Sequence, residues 1–594
     1  MAHRYCLVNN KIRMNNFPRF MQFLKLYWAG IISFLCTTAF FVLYLAVFRL
    51  SYLVNDDITI ISLASGYLGG KPVPFTVYSN VIWGFILNAL YSIHTNLNWE
   101  IWLFMLVNFL SVWSLLYVAL SRPLHNIYKL AAVLSILTCD GFFLINITYT
   151  EIAAFATLAG FCLILMTAYP PILLNRWLWI CGGFLILIGS LLRIDVIYLV
   201  LLTILPSALM LYRIFDRKRL AFAFAFTSLM VGGCYAFNEI YVGAHPDWNS
   251  YYIYNHARSM IQDTPRAHIE NIRDALPAVG WTGNDYTLFI NWFFPDQKIY
   301  SLSKLQYLVN HVSDNESSIN DAVMSYFHFH HIFNARDTFP YLLVITATWI
   351  LALAHPPLRK ALPALAMLLV SSLILILYLV WKENVPLHVW YSFLATIGIF
   401  GLCVLSWHIN AAKTNIHAEQ KILSLVVPLV VLVMISAALI LVLYWASIET
   451  RENISKQSTY QQMLAELDSL QAKGKITSNA LIISPAIGIP IEWSNPLFLN
   501  LPRIQYFQME WLTFSPAYDE VLQDYGGQSL PAGFYQNNNI YLITKTSMVS
   551  GVIQAIKANE GVKVSAEFIY PTGGQSDTSD AFNGVVLYRL VQQK

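Results

Sequence analysis

The sequence predicts a polytopic α-helical membrane protein of about eleven spans, with helices in its extracytoplasmic loops and a C-terminal extracytoplasmic α/β domain. Three observations predict it. Of 594 residues, 57% are hydrophobic and only 12% charged, with a mean hydropathy of +0.54; soluble domains carry about a quarter charged residues. The hydrophobic residues gather in runs long enough to cross a bilayer. Beyond residue 446 those runs stop, and short alternating segments replace them.

In chain order, a basic segment at 1–27 leads into an apolar run with no small-residue cleavage site, so the run reads as an anchor rather than a cleaved leader. The predicted spans are 28–49, 99–120, 127–147, 151–169, 177–192, 195–212, 220–241, 338–354, 361–381, 391–407 and 422–445. The run 81–93 is too short to span and fits an interfacial or re-entrant helix. Basic residues test this count. Arg4, Lys11, Arg13, Arg19 and Lys25, then Arg122 and Lys129, Arg176, Arg213 to Arg219, Arg359 and Lys360, and Lys413 and Lys421 all fall on one side. The positive-inside rule makes that side cytoplasmic, in an inner (cytoplasmic) membrane. It puts the N-terminus inside, and it puts 50–98, 242–337 and 446–594 outside. The transmembrane module is thus 28–445, and the outer domain 446–594. In the latter, Tyr460, Met463, Leu464, Leu467 and Leu470 repeat at helical spacing, while "ALIIS", "IYLIT", "VKVSAEFIY" and "GVVLYRL" read as strands around a helix near 549–559.

A net charge of +3 excludes a nucleic-acid partner, and seven scattered cysteines without a CxxC pair give no metal or disulfide framework. The informative charges lie where spans end. "NDD" at 55–57 opens the first outer loop, and an apolar face of Ile60, Ile61, Ala64, Tyr67 and Leu68 after it predicts a helix lying in the interface. Asn and Asp cap helices well, so capping alone accounts for one acid; a second carboxylate beside a bilayer needs a further use. Arg193 and Asp195, in "SLLRIDVIYL", break an apolar stretch: they form a paired turn, or Arg193 snorkels, or it holds a phosphate. Lys382, Glu383 and His388, in "WKENVPLHVWY", are a solvated turn or further phosphate ligands. In "NITYTEIAAF", Thr148 or Thr150 is expected to cap the following helix. The stretches "HPDWNSYYIYNHAR" and "GWTGNDYTLFINWFFPD" suit stacking on sugars or an aromatic belt equally, and "HFHH" at 328–331 is a weak metal signal.

An N-in first span, an acidic pair opening the first outer loop, and "G…P…Y.N" leading into a short apolar helix and a long span resemble GT-C-fold glycosyltransferases. These include protein mannosyltransferases, aminoarabinose transferases and bacterial arabinosyl- and glucosyltransferases with polyprenyl-linked donors. The resemblance runs over about 28–410, with "NDD" and "LLRID" as its local carriers. It implies a polyprenyl-phosphate-sugar glycosyltransferase acting at the outer membrane face. Asp56 or Asp57 would be the catalytic carboxylate, and Arg193, Lys382 and His388 would face the donor phosphate. The turn at 382–388 departs from many relatives in lacking an arginine. Further candidates to line substrate are Lys71, Tyr78, Asn80, Tyr149, Glu151 and Asp195. A divalent cation at the acids stays an alternative to a metal-free site. The acceptor is a glycan, lipid or protein, and membrane lipids are the remaining partners. Inversion by single displacement follows from the chemistry, because a phosphate leaving group needs cations rather than a general acid. A transporter or flippase of lipid-linked sugars would show related halves and mid-membrane charges. A non-catalytic scaffold would tolerate loss of both acids, and a polysaccharide polymerase or ligase would use lipid-linked glycans on both sides.

Overall fold

The computed structural model describes residues 19–593 except 123, 169–175, 212–216, 264–271, 315–334, 383–384, 410–417, 486–487, 528 and 571–584. The "HFHH" histidines, Glu383 and the basic residues at 4, 11, 13, 213 and 413 lie outside the described residues.

Among the described residues, eight helices are long and apolar enough to cross a membrane: Trp28–Val47, Trp99–Leu120, Asn126–Ile145, Tyr149–Thr167, Asp337–Ala354, Leu358–Trp381, Leu387–His408 and the membrane-side part of a helix that continues to Ala472. They coincide with eight of the eleven predicted runs. Two others are the shorter apolar helices Trp177–Leu192 and Ile194–Met210. The third lies in Arg217–Gly243, a 27-residue helix that is not among those eight. The run at 81–93 is a 13-residue helix, Val81–Ile93.

Burial orders these helices. Tyr149–Thr167 is wholly enclosed by its neighbours, whereas Trp28–Val47 leaves most of its surface outward, as a central and a lipid-facing helix of one bundle do. The central helix packs on Arg176–Leu192 at small residues: a Cβ on Gly160 would lie 2.5 Å from the Gly182 carbonyl oxygen, and one on Gly189 would lie 2.9 Å from that of Ala153. Backbones approach this closely only where side chains are minimal. That contact brings Arg193, at the end of one helix, beside Tyr149 and Thr150, at the start of the other.

The C-terminal part is carried on one 55-residue helix, Ala418–Ala472, which runs without a break from the apolar run into the helical repeat at 460–470. Beyond it stands a five-stranded mixed sheet. Leu481–Ser484 pairs in parallel with Gln505–Gln508 on one side and Ile540–Lys545 on the other. Val585–Gln592 then runs antiparallel between Ile540–Lys545 and Val564–Tyr570. Four of these strands fall where alternation puts them. The fifth, Gln505–Gln508, is too short and too polar at both ends to show as a strand pattern.

The sheet closes over the first loop. The Tyr67 hydroxyl donates to the Ile504 carbonyl at 3.1 Å and accepts from the Tyr506 N–H at 3.1 Å. Asn98 donates to the Pro496 carbonyl at 2.7 Å, and Asn453 on the long helix donates to that of Arg49 at 2.8 Å. This corrects the expected interfacial helix. The helix is Asp56–Ala64, and Ile58, Ile60, Ile61, Ser62, Leu63 and Ala64 are all buried, because protein covers the side that the sequence pattern left polar.

Candidate active site

The start of the Asp56–Ala64 helix is not a cap. The side chain of Asn55 makes no capping hydrogen bond; its amide instead donates to Glu510 Oε1, and the Thr59 hydroxyl donates to Glu510 Oε2 at 3.0 Å. A carboxylate from the sheet side thus anchors the helix start. The adjacent acids are then free of capping duty and take different environments. Asp57 is fully buried, and its Oδ1 accepts the Tyr149 N–H at 3.1 Å. The Thr148 side chain also lies against this carboxyl. Asp56, one position earlier, turns towards a cluster of arginines and rings.

Arg193 forms one wall of that cluster. Its guanidinium donates to the Tyr149 hydroxyl at 3.0 Å and the Thr150 hydroxyl at 2.8 Å. It is neither paired in its own turn nor extended towards headgroups: Asp195 beside it is exposed. The expected threonine caps are absent: Thr150 serves Arg193, and the Thr148 side chain lies against the Asp57 carboxyl.

Arg258 forms the other wall. Sequence reasoning passed over it, although Tyr251, Tyr254, Asn255 and Arg258 sit on one buried face of the Pro246–Gln262 helix. The spacing of those residues was the available signal, hidden inside a stretch read only for its aromatics. Arg258 is fully buried. It donates to Asn255 Oδ1 at 2.9 Å and Gln262 Oε1 at 2.8 Å, pairs with Asp263 at 3.5 Å, and lies 4.6 Å from the Trp292 ring centre. Tyr78 links the walls: its ring stacks 6.4 Å from Tyr149 and meets Trp511 edge-on at 5.1 Å. Trp511 is held from the sheet side, where its carbonyl accepts the Tyr251 hydroxyl.

Among the described residues, three non-glycine residues adopt positive φ: Val77 at 59°, Trp292 at 60° and Phe514 at 66°. All three border this cluster, next to Tyr78, under Arg258 and against Tyr254. For a β-branched valine this conformation costs about 1–3 kcal/mol, and such strain is retained where surrounding structure imposes it, often at functional sites.

The electrostatics separate the acids. Burial raises the Asp56 carboxyl to about 6, with Arg193 and then Arg258 pulling it down and Asp263 pushing it up between them in size. Burial pushes Asp57 well above the usual carboxylate range, opposed chiefly by the Tyr149 N–H. Glu510 rises to about 8, through burial and then the Asp56 charge. Asp56 is thus readier to ionise near neutral pH than Glu510, while burial favours the protonated form of Asp57, the pattern by which adjacent carboxyls take distinct acid–base roles.

The remaining candidates fall as follows. His388 lies within electrostatic reach of Arg193. Lys382 is exposed, with its ammonium 4.4 Å from the centre of the Trp381 ring, and Lys71 is exposed on the first loop. Asn80 is committed to structure: it accepts the Ile82 N–H at 3.0 Å as a helix cap and donates to the Cys234 carbonyl at 3.0 Å. Glu151 is buried in the central helix, and neither of its carboxyl oxygens has a hydrogen-bond partner. Among the described residues, no group of three or more His, Cys, Asp and Glu is arranged to hold a metal ion. Two guanidinium groups around Asp56 disfavour a divalent cation there on charge alone.

The chain is a multi-pass helical membrane protein with an acid and two arginines gathered where the bundle meets a mixed sheet. No family model and no curated protein matches its sequence. Its structure is similar to a crystal structure of ArnT from Cupriavidus metallidurans bound to undecaprenyl phosphate, at 10% identity and a TM-score of 0.37, over 93% of this chain and 97% of that one. At that score the likeness carries neither a family nor an activity over to this chain.

Proposed function

We propose that this protein is an inverting glycosyltransferase that moves a sugar from a polyprenyl-phosphate donor to an acceptor hydroxyl at the outer membrane face. The observation that carries the reading is Asp56 set among Arg193 and the fully buried Arg258, beside Tyr78, Tyr149 and Trp511. A lipid phosphate cannot enter the dry bilayer core, so its head must be met at a membrane boundary while its tail stays in lipid. Buried arginines suit that head, because their planar donors match phosphate oxygens and stay charged.

The chemistry balances without a cofactor. The acceptor oxygen attacks the anomeric carbon, the bond from that carbon to the phosphate oxygen breaks, and polyprenyl phosphate leaves with the electron pair. Asp56 takes the acceptor proton. Arg193 and Arg258 stabilise the charge that grows on the leaving phosphate. Asp57 positions Tyr149, and through it the Arg193 guanidinium. A cytoplasmic N-terminus and an outer C-terminal part, read from the basic loops, place this centre outside.

The test is an assay of purified protein with a panel of polyprenyl-phosphate sugars. Asp56→Asn should lower turnover by about 10² to 10⁴, the usual worth of a general base, while Arg193→Gln and Arg258→Gln should raise the donor KM and lower kcat. Wild-type turnover matched by all three variants would sink the reading.

A further inference from the structure

A second cavity, of about 350 Å³, opens between the bundle, the long helix and the sheet side. Small-ligand sites begin at about that size, around 300 Å³. Its lining differs in kind from the Asp56 centre. Asn453 and Ser494 are each 1% exposed, yet Asn453 Oδ1, the Ser494 hydroxyl and Glu492 Oε2 have no hydrogen-bond partner. Buried polar atoms are ordinarily satisfied, and each one left alone costs about 1–3 kcal/mol. Three in one cavity wall point to a ligand that supplies the missing partners. Trp493 adds a ring to the same wall.

The charges select the ligand. Among the described residues, Asp337, Glu449, Glu492 and Lys456 line the cavity, a more acidic wall than the one Arg193 and Arg258 form and one less suited to a phosphate. Carboxylates, amides, a hydroxyl and an aromatic edge suit paired hydroxyl groups on a flat apolar ring face. We propose that this cavity binds a neutral saccharide unit, and that this unit belongs to the acceptor. The second half of that statement rests on the glycosyltransferase reading; the binding itself does not.

Position supports the link. Ser51 and Tyr52 line the cavity and pair in parallel with Asn146 and Ile147. Two residues further on, Tyr149 donates its N–H to Asp57. The strand pair that borders the cavity thus leads within two residues to the backbone N–H that holds Asp57, which ties the cavity to the acid pair through one continuous stretch of chain.

The test uses the full-length protein in lipid nanodiscs with maltose, cellobiose and lactose as neutral probes and glucose 1-phosphate as the anionic one. Binding is read by saturation-transfer NMR, and transfer by the glycosyltransferase assay. At least one neutral disaccharide should bind, more tightly than glucose 1-phosphate. Glu492→Gln, which keeps the shape, and Asn453→Leu should each weaken it about tenfold, equivalent to about 1.4 kcal/mol. In the same variants the acceptor KM should rise while hydrolysis of the donor by water stays at the wild-type rate. Binding unchanged in both variants, or no neutral disaccharide bound, overturns the site. Weakened binding with an unchanged acceptor KM keeps the saccharide site and overturns its link to the acceptor. Absence of any transfer by the wild type, with binding lost in the variants, keeps the site and discards the glycosyltransferase reading.

Discussion

Asp56 and Asp57 are neighbours in sequence and differ in every physical respect that matters. One accepts a backbone N–H and is pushed well above the usual carboxylate range by burial; the other faces two arginines and is raised only to about 6. As a base, Asp56 works when ionised, so kcat/KM should climb with pH through an inflection near 6. Arg193→Gln removes the largest influence holding that value down, and the inflection should shift upward; an unmoved inflection would separate Asp56 from the rate. Stability should run the other way. Glu510 titrates near 8 in the fold and near about 4.3 when unfolded, so the folded state binds more protons between those values. Stability is then full below the lower value and is lost as pH rises through the upper one. Glu510→Gln should flatten the fall of Tm between about pH 5 and 8, measured by thermal unfolding in detergent. None of this was legible locally. "NDD" reads as a helix cap until a glutamate more than 450 positions away takes the asparagine.

Among the elements, the site depends on how closely two helices meet. Tyr149 and Thr150 begin one, Arg193 follows the other, and Gly160 against Gly182 sets their separation. Gly160→Ala should push them apart, lowering Tm by several degrees and reducing turnover, because Arg193 would lose its hydroxyl partners. Gly84→Ala is the companion case, since its Cβ would stand 2.1 Å from the Pro74 carbonyl oxygen, where the loop carrying Tyr78 crosses the Val81–Ile93 helix. A Gly84→Ala protein with wild-type Tm and activity would show that this crossing does not hold the loop. The glycines are visible in the sequence. Their role is not, because a helix pattern records which face is apolar and not which neighbour presses against it.

At the scale of the whole molecule, the sheet side supplies Glu510 and Trp511 to a centre otherwise built from the first loop, the Pro246–Gln262 helix and the ends of bundle helices. Its sidedness is testable: with the native cysteines replaced, a Lys473→Cys variant in intact cells should react with a membrane-impermeant maleimide, and labelling only after lysis would reverse the orientation. By itself the sequence determined the helical membrane class, eight apolar helices, seven of them within a few residues of their observed ends and the last continuing to Ala472, the strands with clear alternation, and the acids and Arg193 as candidates, because burial in lipid and strand pleating repeat along the chain. Tertiary structure alone decided that the interfacial helix is a core helix, that Asn55 bonds Glu510 instead of capping, that Asn80 is a brace, and that Arg258 faces Asp56. Those outcomes depend on groups brought together across hundreds of residues, and no local period records which distant surface will cover a given face.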